Sequence, residues 1–234
     1  NIEFTQALVP DKNGAGIRAE GFNLTVENCN FHHNENGILG GKGHVKVLHS
    51  HFAFNGHGDG YSHNLYIGGR VDTLTFKFNF SHGAKVGHEL KSRAKVNIIE
   101  YNRIMNEKNG TASYCVDLPN GGFSVIKGNV IQQSKNTGNS TMISYGAEGF
   151  KNPNSQLYVI HNTLANDRPI ANFIRIKSGA QKAVVENNLY LGKGVLVSGR
   201  AAQNNNMHGI DSDVINRGAF DFHLSKDSKA IDAA

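Results

Sequence analysis

The chain has 234 residues, of which 29 are Asn and 27 are Gly, and its formal net charge is +5. Since 38% of the residues are apolar and only 18% are charged, the composition excludes an intrinsically disordered chain. Asn and Gly are poor residues for helix interiors, which argues against a helical bundle. No apolar run approaches the roughly 20 residues that cross a bilayer. The composition therefore predicts a turn-rich, all-β protein without a membrane span.

The termini, the cysteines and the charge narrow the class only slightly. Cys29 and Cys115 are too few for a disulfide framework, and we expect ordinary buried thiols. The chain begins at Asn1 without a basic and apolar leader, so either a signal peptide has been removed or a longer protein has been shortened. The basic excess suits an acidic partner, but no run of Lys or Arg indicates nucleic acid.

Seven short β-rich segments that end in a small or amide residue recur along the chain. They are LTVENCNF (24–31), VKVLHSHF (45–52), LTFKFNF (74–80), VNIIEYNRI (96–104), FSVIKGNVI (123–131), LYVIHNTL (157–164) and AVVENNLY (183–190). Their alignment gives one column, at steps of 21 to 33 residues: Cys29, Ser50, Asn79, Asn102, Asn129, Asn162 and Asn188. An Asn at one turn of each coil can adopt left-handed backbone geometry and hydrogen-bond to the coils above and below.

A second set of segments alternates strictly with the first. The residues predicted to face inwards are Ile17, Ile38, Leu65, Leu90, Val116, Ile143, Ile174 and Val195. Two strand columns at a long period, without helical segments between them, indicate coils that stack in parallel. We therefore predict an all-β fold, a right-handed parallel β-helix solenoid of about eight coils. It forms a single domain over residues 1–234 that could belong to a longer chain.

This coil pattern resembles the right-handed β-helix superfamily of polysaccharide-active proteins, which is pectate-lyase-like in architecture. The final segment FDFHLSKDSKAID (220–232) is similar to the closing segment of such bacterial proteins. The N-terminal capping helix that is usual in this fold is not evident in the sequence, which favours a shortened chain. The resemblance implies a secreted or periplasmic protein that acts on carbohydrate, and we expect a monomer.

The alternation of side chains along the second set of strands predicts one exposed sheet face. Tyr66, Lys91 and Asp117 each follow an inward residue and should lie on neighbouring coils, with Arg93 close to Lys91. His63 should neighbour His88 at the edge of this sheet, although a His in a turn is often satisfied by backbone groups alone. The candidate substrate-binding residues on or near this face are Arg18, His88, Asp117, Glu148, Arg175 and Lys177.

These residue types favour proton abstraction from a uronic acid. A cation must neutralise the substrate carboxylate, a base must remove the C5 proton, and an acid must protonate the leaving oxygen. Arg93 or Arg175 suits the first role, Lys91 or His63 the second, and Tyr66 the third. The sequence thus predicts a lyase that cleaves an acidic polysaccharide by β-elimination.

Glycoside hydrolysis is less favoured by the sequence, because it needs two carboxylates beside the scissile bond. Asp117 and Glu148 are the only candidates and are expected to be isolated from each other. A hydrolase therefore remains an alternative, as does a non-catalytic carbohydrate-binding or structural β-helix.

The candidate site is similar to the sites of two groups with this fold. Alginate lyases of polysaccharide lyase family six, and the related chondroitin lyase, use a Lys and an Arg on adjacent coils. The resemblance implies such roles for Lys91 and Arg93, although these two residues share one strand. Mannuronan C5-epimerases carry a short Asp/His motif ahead of a strand, to which GDGYSHNLYI (58–67) is similar. Epimerisation shares the proton abstraction, so a uronate C5-epimerase is a further alternative.

The sequence predicts no metal site. His57, Asp59 and His63 lie in a Gly-rich loop, a pattern with a high rate of false metal sites. Some relatives use a Ca²⁺ ion between substrate and protein, and this ion stays open as a cofactor here. The acidic residues Asp59, Asp72, Asp117 and Glu148 are scattered along the chain.

Overall fold

The computed structural model describes residues 1–233 and consists mainly of short strands. The first twelve are β1 (Glu3–Thr5), β2 (Ala15–Ala19), β3 (Leu24–Glu27), β4 (Asn30–His32), β5 (Asn36–Gly40), β6 (Gly43–Leu48), β7 (His51–Ala53), β8 (Leu65–Ile67), β9 (Val71–Lys77), β10 (Phe80–His82), β11 (Leu90–Ser92) and β12 (Val96–Glu100). The others are β13 (Arg103–Met105), β14 (Val116–Leu118), β15 (Phe123–Lys127), β16 (Val130–Gln133), β17 (Thr141–Tyr145), β18 (Gln156–Ile160), β19 (Thr163–Asn166), β20 (Asn172–Ile176), β21 (Lys182–Glu186), β22 (Leu189–Leu191), β23 (Val195–Ser198), β24 (Ala202–Asn204), β25 (Met207–Gly209), β26 (Val214–Asn216) and β27 (Asp221–Leu224). Two 3-10 helices, Asp211–Asp213 and Arg217–Ala219, flank β26.

Every third strand joins the same sheet, so each coil contributes one strand to each of three sheets. Sheet A has nine strands from β1 to β25, sheet B has eight from β2 to β23, and sheet C has eight from β3 to β24. The pairs within these sheets are parallel, whereas β26 and β27 form an antiparallel hairpin. The predicted right-handed parallel β-helix of about eight coils is confirmed. No helix within residues 1–233 is long and apolar enough to span a bilayer.

The core runs along the axis of the coils. The inward residues Leu65, Leu90 and Val116 of sheet B are fully buried. In sheet A, Phe31 and Phe52 stack on successive coils with ring centroids 4.8 Å apart. Since burial of one such side chain contributes about 1.5–3 kcal/mol, this continuous apolar column holds the coils together.

A ladder of buried amides confirms the first predicted column. The backbone N–H of Asn79 donates to Asn102 Oδ1, that of Asn102 to Asn129 Oδ1, and that of Asn129 to Asn162 Oδ1, each at 2.9 Å. The ladder begins where the Cys29 N–H donates to Ser50 Oγ, and beyond Asn188 it gains one further member, Asn206. The recurring Asn therefore reports how the coils are joined.

The left-handed backbone geometry lies one residue before the ladder, which corrects the prediction for the ladder Asn itself. Phe78, Tyr101, Gly128 and Asn187 each precede a ladder residue and have φ values of 58°, 56°, 65° and 56°. The preceding residue therefore makes the turn, and the ladder Asn keeps its amide free to bond along the axis.

In the last coil of sheet B, the predicted alignment of the inward residues is wrong by two positions. Ile174 pairs with Val197 rather than with Val195, and Arg175 pairs with Ser198. Because Val195 and Val197 lie on the same face of the strand, a shift by two residues leaves the alternation unchanged. The apolar pattern alone therefore cannot distinguish the two registers, whereas the other seven members of the column lie where predicted.

The two cysteines are free thiols. Cys115 is fully buried, as expected, and burial raises its pKa well above the ordinary value. Cys29 is only half-buried, because it stands in the first coil of the ladder with no complete coil above it.

Truncation of a ladder residue should destabilise the fold. Asn129→Ala removes the acceptor of the Asn102 N–H and the donor to Ile99 O, so buried polar groups lose their partners. We expect a loss of roughly 3 kcal/mol in the free energy of unfolding, measured by urea denaturation. Asn109→Ala, at an exposed loop position, is the control and should change stability by less than about 0.5 kcal/mol. Equal stability of the two variants would contradict the structural role of the ladder.

Candidate functional site

The outward face of sheet B aligns the predicted residues one per coil. Tyr66 pairs with Lys91, Lys91 with Asp117, and Asp117 with Ser144, in the register predicted from the sequence. Parallel neighbours lie about 4.8 Å apart, so these side chains form one continuous row. Arg93 follows β11 directly and reaches back over the same row.

The Arg93 guanidinium connects three polar side chains of the site. Its Nε donates to Tyr66 Oη at 2.9 Å and its Nη1 to Asn120 Oδ1 at 2.9 Å. Nη1 and Nη2 also grip the Glu148 carboxylate in a bidentate pair, at 2.7 and 2.8 Å. These hydrogen bonds, that of Glu148 above all, raise the pKa of Arg93. The guanidinium is thus permanently charged and held in one orientation.

Lys91 supplies a second positive charge beside Arg93. Its Nζ lies 3.7 Å from Asp117 Oδ2 and 3.7 Å from Glu148 Oε1. It also lies 5.9 Å from the centroid of the Tyr66 ring, and Arg93 Cζ lies 5.8 Å from the same centroid. Two cations therefore flank one phenol, and both of them contact the Glu148 carboxylate.

The two carboxylates are not isolated, which corrects the sequence interpretation. Both Asp117 and Glu148 approach the Lys91 ammonium. Burial raises the pKa of Asp117 to about 6, although the Lys91 charge and the Ser144 hydroxyl act in the opposite direction. Hydrogen bonds from Arg93 lower the pKa of Glu148. The environments of the two acids therefore shift their pKa values in opposite directions.

His63 and His88 are neighbours on successive coils, as predicted. Their rings stack with centroids 4.6 Å apart, and the His63 ring meets the Tyr66 ring edge-on at 5.5 Å. His63 Nδ1 accepts the backbone N–H of His88 at 2.9 Å, and His88 Nδ1 accepts that of Tyr114 at 3.2 Å. One coil earlier, Asn36 Oδ1 accepts the His63 N–H in the same way. These hydrogen bonds therefore join successive coils.

The same hydrogen bonds define what His63 can do chemically. A neutral imidazole whose Nδ1 accepts a hydrogen bond carries its proton on Nε2, so His63 has no free lone pair for a substrate proton. Burial lowers its pKa to about 3 and that of His88 to about 2, which keeps both rings neutral. The geometry thus favours His63 as a hydrogen-bond donor or as a structural residue rather than as a base.

Three predicted binding residues lie outside this cluster. Arg18 shares the face but lies two coils before Tyr66 and pairs with Glu20 at 2.9 Å. Arg175 and Lys177 lie on the other side of the row, where they line a cavity of about 440 Å³ together with Tyr114. Within residues 1–233 neither of these two cations forms an ion pair, so both can meet an anionic ligand.

A loop over residues 146–155, whose conformation the periodicity of the sequence does not predict, brings Glu148 to the site. Phe150 packs over Gly121 and Gly146, where an added Cβ would lie only 2.5 and 2.4 Å from its ring. Asn152 Nδ2 donates to Ala94 O at 2.8 Å and ties the loop to the coil of Arg93. The glycines of PNGG (119–122) and the following YGAEGF (145–150) are the sequence signal for this packing.

The candidate metal ligands contact other groups of the protein. His57 Nδ1 faces Glu35 at 3.7 Å, and Asp59 accepts the Tyr61 N–H at 2.9 Å. Asp72 pairs with Lys95 at 2.7 Å. Among residues 1–233 no group of three or more His, Cys, Asp or Glu is arranged to hold a metal ion. Calcium as a cofactor stays an open alternative.

Comparison with known proteins does not extend these observations. The chain matches no family model, no curated protein and no solved structure.

The buried imidazoles should make stability depend on pH. Since their folded-state pKa values lie below the unfolded value of about 6.5, their contribution is present above pH 6.5 and is lost as the pH falls towards 3. His63→Asn/His88→Asn keeps an acceptor, as Asn36 does, and removes the titration. Relative to this variant, the wild type should lose roughly 2 kcal/mol per His between pH 7 and pH 5, measured by urea denaturation.

Two exposed histidines provide the matched control for this experiment. His44→Asn/His161→Asn should leave the pH dependence of the wild type unchanged, because both side chains are exposed. Parallel pH profiles for the wild type and the His63/His88 variant would contradict the neutral, buried state of the pair.

Proposed function

We propose that the protein cleaves an acidic polysaccharide that contains uronic acid, by β-elimination on the outward face of sheet B. One observation carries the proposal: a phenol, Tyr66 Oη, accepts a hydrogen bond from Arg93 Nε while Lys91 and Arg93 flank its ring. β-Elimination needs positive charge for the substrate carboxylate and a proton-transferring group beside it. The pectate-lyase-like kinship and a secreted or periplasmic location are part of the same proposal.

The hydrogen bonds suggest a division of roles. Lys91 and Arg93 hold the substrate carboxylate, which takes the place that Glu148 occupies between them. Tyr66 removes the C5 proton as phenolate, since the Arg93 N–H stabilises negative charge on its oxygen. The C5–H and C4–O4 bonds break, a C4–C5 double bond forms, and the phenol returns the proton to O4. Lys91, which the sequence suggested as the base, serves here as the cation.

Glycoside hydrolysis is the second candidate, and the two carboxylates favour it. Asp117, with a pKa raised to about 6, suits a general acid, and Glu148, whose pKa is lowered, suits a base. Both carboxylates lie 3.7 Å from the Lys91 ammonium, so they are near enough to each other to act on one substrate. The side chain of Asp117 is almost completely buried beside Lys91, which places it less favourably for substrate than Tyr66.

The reaction products distinguish these functions. The protein is incubated with alginate, pectate, polyglucuronate and chondroitin, and the absorbance of the unsaturated sugar is followed. New absorbance supports the lyase, whereas reducing ends without absorbance indicate the hydrolase. A changed uronate composition by NMR, without cleavage, indicates the C5-epimerase. No change in any polymer would leave a non-catalytic β-helix.

Removal of the Tyr66 hydroxyl should abolish elimination. Tyr66→Phe is expected to lower kcat about 10²–10⁴-fold, because it removes the proton-transferring group. The control is Tyr158→Phe on the outer face of sheet C, where Lys182 lies 5.2 Å from the ring centroid in a similar cation–ring pair. The control should retain full activity, and both variants should melt within a few degrees of the wild type. Unchanged kcat in Tyr66→Phe would contradict the assigned role.

Neutralisation of Asp117 separates the lyase from the hydrolase. Asp117→Asn should abolish the release of reducing ends if Asp117 is the general acid of a hydrolase. In a lyase the same change should leave kcat within about tenfold, because Tyr66 carries the proton. The measurement is kcat for the wild type and the variant on the polymer that is turned over.

A further inference from the structure

A column of basic side chains runs along the edge between sheets A and B. In each of five consecutive coils, the turn that leads from a strand of sheet A to the next strand of sheet B carries one cation that forms no ion pair within residues 1–233. The five residues, called the basic edge here, are Lys85, Lys108, Lys135, Arg168 and Lys193. The four lysines are exposed and Arg168 is half-buried.

Hydrogen bonds join the turns that carry the last four cations of this column. Ser134 Oγ donates to Lys108 O at 3.2 Å, which joins the turn of Lys108 to that of Lys135. Arg168 Nη1 donates to Thr137 Oγ1 at 3.2 Å and so links to the turn of Lys135. The next turn is joined where the Asn166 side chain donates to Lys193 O at 2.6 Å. These turns therefore stack coil upon coil, at a backbone spacing of about 4.8 Å.

Two cavities follow the basic edge. One of about 510 Å³ is lined by Lys85 and Lys108, and the next, of about 800 Å³, by Lys108, Lys135, Arg168 and Lys193. The cavities share Lys108 and Phe220, so they form one groove beside the column.

Three acidic residues also line this groove. Asp167 and Asp211 both bind Arg217, at 2.8 and 2.6 Å. Glu107 faces His82 Nδ1 at 3.3 Å, but burial lowers the pKa of this imidazole, so the ring does not balance the carboxylate. Six cations and three acids line the groove in all, so its net charge is positive.

We propose that the basic edge is a second binding track for an anionic polysaccharide chain, outside the catalytic cluster. One cation per coil along this edge complements a linear polymer with one carboxylate per sugar. Non-specific binding of single-stranded nucleic acid relies on aromatic platforms for the bases, and the aromatic residues that line the groove are only Phe54 and Phe220. The choice of a uronate polymer rests on the proposed function; the positive track itself does not.

The track lies where the strands of sheet B begin, beside the face that carries Tyr66 and Lys91. A long polymer with one segment on that face can therefore rest a second segment on the basic edge. The gain in affinity should grow with chain length, since only a long chain contacts both surfaces.

Binding of fluorescently labelled polygalacturonate and polyguluronate, followed by anisotropy, tests the track. Lys108→Gln/Lys135→Gln should weaken binding of the polymer about fivefold to tenfold and make it less sensitive to salt. Lys46→Gln/Lys182→Gln on the exposed face of sheet C removes the same charge and is the control, with binding expected within about twofold of the wild type. Equal binding by both double variants would overturn the proposal.

Two further outcomes separate this proposal from the proposed reaction. If no uronate polymer is cleaved but Lys108→Gln/Lys135→Gln still binds it more weakly than the control, only the reaction is refuted. If a polymer is cleaved and this variant binds it like the wild type, only the track is refuted. Tighter binding of a single-stranded oligonucleotide than of either polyuronate would also overturn the assignment of the ligand.

Discussion

The structure depends on one repeated interaction, the hydrogen bond from the backbone of one ladder residue to the side-chain amide of the next. From Asn79 to Asn188 these bonds measure 2.9 to 3.0 Å. A buried amide that loses its partner costs about 1–3 kcal/mol, so each ladder residue fixes the register of the coil that follows. If one coil shifted by a residue relative to the next, these groups would be left unpaired. The whole stack therefore has a single register.

That register determines the chemistry of the outer surface. Because Leu65, Leu90 and Val116 are locked in the core, the intervening outward positions must align Tyr66 with Lys91. A row of charges on a rigid sheet cannot spread apart, so unlike groups are held within a few ångströms of one another. Burial therefore raises the pKa of Asp117, while the hydrogen bonds from Arg93 lower the pKa of Glu148.

The sequence predicted those features that repeat along the axis. The ladder and seven of the eight inward positions of sheet B could be predicted, because each coil gives the same signal again. The position with left-handed backbone geometry could not be predicted, because residues as different as Phe78, Tyr101 and Gly128 occupy it. The contact between Arg93 and Glu148 spans 55 residues and depends on how Phe150 packs over glycines. Periodicity carries no information about such a loop.

The central claim is that the phenol and the two cations on sheet B form the binding site for a uronate. The most direct measurement is a crystal structure of Tyr66→Phe, which should retain substrate, with a bound uronate oligosaccharide. We expect a sugar carboxylate between Lys91 and Arg93, in the place of Glu148, with C5 of that sugar facing residue 66. An oligosaccharide bound elsewhere, with the Arg93–Glu148 pair intact and residue 66 uncovered, would contradict it.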